Sequence, residues 1–215
     1  MAGILVALRR SMLILFALVV SVAHAEEPEG CPGLIASAPP LVLRAALAKD
    51  EVGLTFIGHS TFLIETPQGV SIATDYNDYV RTPAVPRIAT MNKAHSTHFS
   101  RAPDSRIEHV LRGWNPAGGP ARHDLTVGDV RVRNVSTNIR DDGGNTEPDG
   151  NSIFVFETTQ LCTAHLGHLH HTLTPEHLKK LGRIDVLLVP VDGGYTMQNF
   201  DMMEVLKSVN APLML

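Results

Sequence analysis

Past residue 50 the chain alternates apolar and polar positions in short runs. Leu54-Thr-Phe-Ile57 and Thr61-Phe-Leu-Ile-Glu-Thr66 read as strands, Pro67-Gln-Gly69 as the turn that follows, and Val70-Ser-Ile-Ala-Thr74 as a third strand. Arg87-Ile-Ala-Thr-Met91 and His109-Val-Leu-Arg112 add two more short runs. Ala121-Arg-His-Asp124 follows a Gly/Pro-rich stretch at 115–120. Val130-Arg-Val-Arg-Asn-Val135, entered through a turn at Gly128-Asp129, has the period-2 pattern of a half-exposed strand. Asp141 to Gly150 carries no apolar residue and predicts a loop, after which Ser152–Glu157 and Gln160–Ala164 predict a hairpin.

Downstream the period changes. Thr174-Pro-Glu-His predicts a helix start, with Thr174 as N-cap, Pro175 as first helical residue and His177 where Glu or Gln would complete a capping box. That helix should run to about Leu181 and stop at Gly182. Ile184-Asp-Val-Leu-Leu-Val-Pro190 is a buried strand, Asn199–Ser208 an amphipathic helix, and Ala211–Leu215 the start of another strand. Strands first and strand–helix alternation later predict an α+β or α/β sandwich with helices outside the sheets.

The beginning of the chain changes the picture of where the protein works. Arg9 and Arg10 precede the apolar run Met12–Val22, and Ala23-His-Ala25 places small residues where a signal peptidase reads. The run is shorter than the roughly 20 residues a bilayer span needs. Residues 1–25 are thus expected to be a signal peptide cleaved after Ala25. Residues 26–50 form a leader segment ending in a short helix over Leu41–Lys49, and 51–215 form one domain. The expected location is periplasmic or secreted. Arg9 and Arg10 leave with the signal, so 16 basic side chains face 22 acidic ones. That mild, dispersed acidity gives no nucleic-acid footprint, and no second run approaches membrane length. The expected partner is a small-molecule substrate. Cys31 and Cys162 are the only cysteines; they either pair in an oxidising compartment or leave Cys162 as a buried small hydrophobe.

Histidine supplies the candidate chemistry. Thr163-Ala-His-Leu-Gly-His-Leu-His-His-Thr-Leu-Thr174 holds four histidines in seven positions, and His95 and His98 sit in Met91-Asn-Lys-Ala-His-Ser-Thr-His-Phe99. Imidazole is the commonest metal ligand and His-rich tracts are rarely needed for packing. Two tracts, each after a strand-like run, point to loops converging on a metal.

Phe56-Ile-Gly-His-Ser-Thr-Phe-Leu-Ile-Glu65 with Asp75 resembles the opening of the metallo-β-lactamase-fold hydrolases, in the branch with lactonase-like and β-lactamase superfamily domain proteins. His165-Leu-Gly-His-Leu-His-His171, Leu173-Thr-Pro and Ile184-Asp-Val-Leu-Leu-Val-Pro-Val-Asp-Gly-Gly194 resemble a later block of the same branch. The resemblance spans nearly all of Val52–Leu215. It implies a metallo-β-lactamase-like αββα sandwich with a zinc site at one edge of the sheets. Against the family's His-x-His-x-Asp-His loop, Lys93 replaces the first histidine and Thr97 the aspartate. Asn138 falls at the next ligand and His168 at the bridging aspartate. The chain stops at Leu215, before the family's last histidine, so it is either a fragment whose C-terminal part is incomplete or a naturally short form of the fold.

A neutral hydroxyl at Thr97 is a poor zinc ligand and an ammonium at Lys93 repels a dication, so the two-metal arrangement is not expected. A rebuilt site remains, in which His95, His98 and His168 hold one zinc ion and leave one position to water. The resemblance puts His59 and Asp75 at strand ends facing that site. Asp75 is then the candidate to fix a ligand's tautomer, and His59 a second catalytic candidate. His165 is either a ligand or tied to a backbone carbonyl, and at most one of His170 and His171 points at the site. His109, His123 and His177 lack convergent partners. Asp192-Gly-Gly194 resembles a loop lining the pocket, and Tyr195 is a possible donor to substrate. The expected function is an exported metal-dependent hydrolase whose metal-bound hydroxide attacks an ester, lactone, amide or phosphodiester. The alternative is a non-catalytic metal- or ligand-binding protein that kept the fold.

Overall fold

In the computed structural model the alternating segments pair into two mixed sheets. The structure describes residues 47–141, 143–159 and 161–215. The expected signal peptide, Cys31, Asp142 and the first part of the 41–49 helix lie outside the described residues, and Leu47–Lys49 are not helical. The first sheet runs β1 (Gly53–Gly58), β2 (Thr61–Glu65), β3 (Ser71–Ala73), β4 (Ile88–Met91) and β5 (His109–Arg112) in spatial order. The second comprises β6 (Asp124–Val127), β7 (Val130–Arg140), β8 (Thr146–Glu157), β9 (Cys162–His165), β10 (Val186–Leu188) and β11 (Leu213–Met214), again in sequence order. Antiparallel pairing gives way to parallel at β3–β4–β5 and at β9–β10–β11. A parallel neighbour needs a crossover. The helices α1 (Pro175–Leu181) and α2 (Asn199–Val209) supply it between β9 and β10 and between β10 and β11.

The period of two decides which layer each side chain joins. Phe154 and Phe156 of β8 turn toward the first sheet and pack with Ile64, Ile72 and Ile88. Ile153 and Val155, one residue out of phase, turn the other way onto Leu181 of α1 and Met202 and Val205 of α2. All four β8 side chains are buried, so the second sheet is covered on both faces. On the far side of the first sheet, Ala73, Ala89 and Met91 pack with Tyr76, Ile107, Phe99 and Trp114 from loops. The expected α+β sandwich is therefore present, and among the described residues its helical layer lies on one side.

Half of one expected loop is strand, residues 146–150 of 141–150. β7 continues to Arg140 and β8 starts at Thr146, with Ile139 opposite Glu147 and Arg140 opposite Thr146. Apolar counting failed here because an exposed hairpin end needs its backbone paired but has no face to bury. Gly150 makes the approach possible, since a Cβ there would lie 2.5 Å from Ile139 Cγ1. Asp141 closes the turn by accepting from the backbone N–H groups of Gly143 and Asn145. In the 121–124 segment only Asp124 enters a strand.

The helix at Thr174 starts as its sequence predicts, with one addition. Thr174 Oγ1 accepts from the His177 N–H at 3.2 Å, and His177 Nδ1 accepts from the Thr174 N–H at 3.3 Å, so histidine itself closes the capping box. At the other end, the buried Arg133 of β7 donates to the Lys180 and Leu181 carbonyls and to Glu157, anchoring α1 on the sheet.

Candidate metal centre

The carboxyl ends of β4, β9 and β10 open onto one cavity at an edge of the sandwich, the place where parallel strands leave a crevice, and the end of β3 is buried beneath it. Asp75 follows β3, His95 and His98 follow β4, and His168 follows β9. Asp192 follows β10, and His59 comes from the tight turn between β1 and β2. His59 and Asp75 both adopt left-handed backbone, with φ of 53° and 41°. Such conformations cost on the order of 1–3 kcal/mol and persist where the surroundings over-determine them.

His95, His98 and His168 each present one ring nitrogen, and these nitrogens lie within 4.8 Å of one another. His98 Nε2 and His168 Nδ1 are 3.0 Å apart. The opposite nitrogen of His98, Nδ1, is 2.5 Å from Asp75 Oδ2 and donates to it, which leaves Nε2 bare toward the triad. Asp75 is fully buried, and its other oxygen accepts from Asn92 Nδ2 at 3.0 Å. Asn92 Oδ1 in turn accepts from the Ser152 N–H, which ties the β4 loop to the second sheet. The backbone of His168 is held by Asn151 Oδ1. Thr97 offers the site a neutral hydroxyl where a carboxylate would carry charge. Its hydroxyl bridges His95 Nδ1 at 2.7 Å and His59 Nε2 at 3.2 Å.

Burial and mutual repulsion favour the neutral forms of His95 and His168. Burial, followed by the positive charge that His98, His170 and His95 would carry, pushes the His168 pKa down to about 3. Burial and neighbouring histidines also lower His95 and His59. Burial alone would raise Asp75, but the charges of His98 and His165 and hydrogen bonds from His98 and Asn92 outweigh it and hold the carboxyl below its usual value. Neutral imidazoles with an ionised carboxylate behind one of them are the protonation states a metal requires. Three converging nitrogen donors suit one divalent cation of the zinc or copper type.

The other predicted residues fall elsewhere. Lys93 pairs with Glu147 and lines a separate hollow with Trp114. Asn138 Oδ1 accepts from the Asp149 N–H. A second ion in the family's arrangement therefore lacks its donors. His165 is buried and bonded to the Ser60 backbone, with its Nδ1 unpartnered. His170 lies 4.7 Å from His168 but spends both nitrogens, accepting from the Arg140 N–H and donating to the Tyr195 carbonyl. His171 keeps a buried Nε2 without a partner. His123 donates to the Arg112 carbonyl and stacks on Phe154. Asp192 and Tyr195 do line the cavity. Sequence reading missed Ser60, Asn92 and Asn151. Asn92 carried a weak signal, as a polar residue directly after a buried strand, whereas Ser60 and Asn151 carried none.

Comparison with known proteins agrees with this architecture. A family model described as "Beta-lactamase superfamily domain" matches residues 53–215. A candidate Zn-dependent hydrolase of the metallo-β-lactamase superfamily from Thermotoga maritima is 29% identical, with a TM-score of 0.56 over 76% of this chain and 74% of that one. A candidate metal-dependent hydrolase from Parabacteroides distasonis is 16% identical, with a TM-score of 0.60 over 76% of this chain and 80% of that one. CmlA, a diiron β-hydroxylase from Streptomyces venezuelae, shares the fold at 10% identity and a TM-score of 0.51 over 78% of this chain and 44% of its own. Among curated proteins none matches the chain.

Proposed function

This chain belongs to the β-lactamase superfamily domain family, and we propose on that premise that it is a metal-dependent hydrolase acting on a small-molecule ester, lactone, amide or phosphodiester. The observation that carries the reading is the convergence of His95, His98 and His168 beside an open cavity of about 980 Å³. These three residues would hold one zinc ion. When bound, the ion supplies Lewis acidity, lowering the pKa of a water and polarising the acceptor oxygen of the substrate.

The chain's own residues do the rest. Asp75 holds the His98 tautomer and compensates the charge brought into a buried site. Asn92 holds Asp75. His59, reached from His95 through the Thr97 hydroxyl, is the group placed to relay a proton between the site and the cavity. Metal binding without turnover is the second reading, supported by the replaced positions 93, 97 and 138. The open cavity beside the triad favours hydrolysis over it, since a closed site is what storage needs. We also propose that the protein is exported. The support is the sequence of its first 25 residues, and among the described residues no helix is long and apolar enough to cross a membrane.

Elemental mass spectrometry on protein purified without chelator or affinity histidines tests the site. About one zinc per chain is expected, and its loss in both His95→Ala and His168→Ala. A folded protein that takes up no zinc would overturn the reading.

A further inference from the structure

The cavity beside the triad is unequal in its chemistry. One wall comes from β1 and β2, where Leu54 and Phe56 share a face and the Phe56 ring lies 5.1 Å from Phe62, its cross-strand partner. The facing wall follows β10 and carries Val189, Val191 and Tyr195. Phe56 is 60% exposed, Val191 73% and Tyr195 81%. Large apolar side chains left so open around one cavity mouth mark a surface meant to be covered by a ligand.

Charge is distributed just as unevenly. Among the described residues, no lysine or arginine lines this cavity. The nearby cations are committed elsewhere. Arg140 donates to the Gly194, Tyr195 and Thr196 carbonyls, and Lys93 pairs with Glu147 in the separate hollow. The cavity's carboxylate is Asp192, whose Oδ1 accepts from the Gly194 and Thr196 N–H groups, each at 3.0 Å. Those bonds outweigh burial and keep the Asp192 pKa below its usual value, so the group is anionic at neutral pH. Beyond the proposed zinc ion at the triad, a phosphodiester or a substrate carboxylate entering here would meet that negative charge and no side-chain cation to hold a second anionic group. Sites that select phosphate or carboxylate place arginine or lysine at the anion.

We propose that the substrate is an uncharged ester or lactone carrying a hydrocarbon chain, which lies between the Phe56–Phe62 wall and the Val191–Tyr195 wall. This rests on the hydrolase reading and narrows its four substrate classes. In the reaction the acyl C–O bond breaks, and water gives its OH to the acyl carbon and its proton to the departing alcohol oxygen. A lactone therefore yields a single hydroxy acid.

Two measurements on the zinc-loaded full chain test it. The first compares hydrolysis of p-nitrophenyl acetate, butyrate and octanoate with mono-p-nitrophenyl succinate and bis(p-nitrophenyl) phosphate. kcat/KM should rise by up to about fourfold per added methylene, the gain expected from burying one CH₂. The neutral butyrate should exceed the anionic succinate by at least tenfold. Phe56→Ala should cut the octanoate-to-acetate ratio several-fold, and Asp192→Asn should raise the succinate-to-butyrate ratio. Equal or faster cleavage of the anionic probes would overturn the inference and leave the hydrolase reading standing. The second measurement is calorimetric titration of octanamide and octanesulfonate, which reads the same selection without turnover. Tighter octanamide supports the proposal. Equal or tighter octanesulfonate overturns it, whether or not any ester is cleaved.

Discussion

Gly167 lies against Asn92 with no room for a side chain. A Cβ at Gly167 would stand 2.6 Å from Asn151 Oδ1 and closer still to Asn92 Nδ2, and its φ of 62° is left-handed. Asn92 holds Asp75 and Asn151 holds the backbone of His168, so this one close approach sets the two buried halves of the triad at their distance. Gly167→Ala should therefore combine backbone strain with overpacking, for a loss on the order of 3 kcal/mol. Thermal unfolding should show the loss, together with zinc uptake reduced far more than secondary structure. Unchanged stability and zinc content would mean that the loop accommodates a side chain after all.

Asp75→Asn tests the partner behind His98. The amide is nearly the same size and can still accept from His98 Nδ1, but it carries no charge and turns an NH₂ toward the Asn92 Nδ2 that the second carboxylate oxygen accepted from. Partners of this kind are worth about 10–100-fold in metal affinity. Competition with a chromophoric zinc chelator should show a loss in that range while circular dichroism stays that of the wild type.

Stability should fall with acid between about pH 6.5 and pH 4. His170 must be neutral to accept from the Arg140 N–H, and burial pushes its pKa down to about 4. A histidine lowered in the folded state binds fewer protons there than in the unfolded chain. Its contribution is complete above the unfolded pKa and declines as pH drops through that value toward the folded one. His168 acts with the same sign. Because His170 is only partly buried, the loss assigned to it is about 2 kcal/mol after allowing for solvent. Urea unfolding at pH 7 and pH 4.5 should show the decline, and His170→Asn should make it shallower. A flat profile would remove His170 from this role.

Arg133→Met should loosen α1. The guanidinium satisfies the last carbonyls of the helix and Glu157 from a buried position. Glu157 keeps Arg131, so the loss is mainly that of the carbonyls' buried partner, roughly 1–3 kcal/mol. Hydrogen exchange should rise first over Pro175–Leu181. If protection there is retained, the anchor lies elsewhere.

How much of this was written in the chain depends on the range of the interaction. The alternation in Val130–Val135, the apolar run in Ser152–Glu157, the Thr174-Pro175 start and Gly182 stop of α1, and the breaks at Pro67-Gln-Gly69 are local signals. A period of two, a fixed φ or a missing Cβ acts within a few residues, so the strands and α1 were legible. The histidine tracts were legible as a metal candidate for a similar reason, because two His-rich segments that each follow a strand are themselves local features of the sequence.

The resemblance already singled out His95, His98 and His168; the tertiary structure decided how closely they meet. His98 and His168 are separated by 70 residues and brought to 3.0 Å by two sheets packed through Phe154 and Phe156. His170, two positions from His168, is taken by Arg140 and Tyr195 instead. The tip of the β7–β8 hairpin, the turn of Lys93 toward Glu147 and the apolar walls of the cavity are likewise set by residues distant in sequence. A chain specifies its elements by short-range sterics and burial period. Distances of a few ångströms at a site are fixed by packing between layers, which no single segment contains.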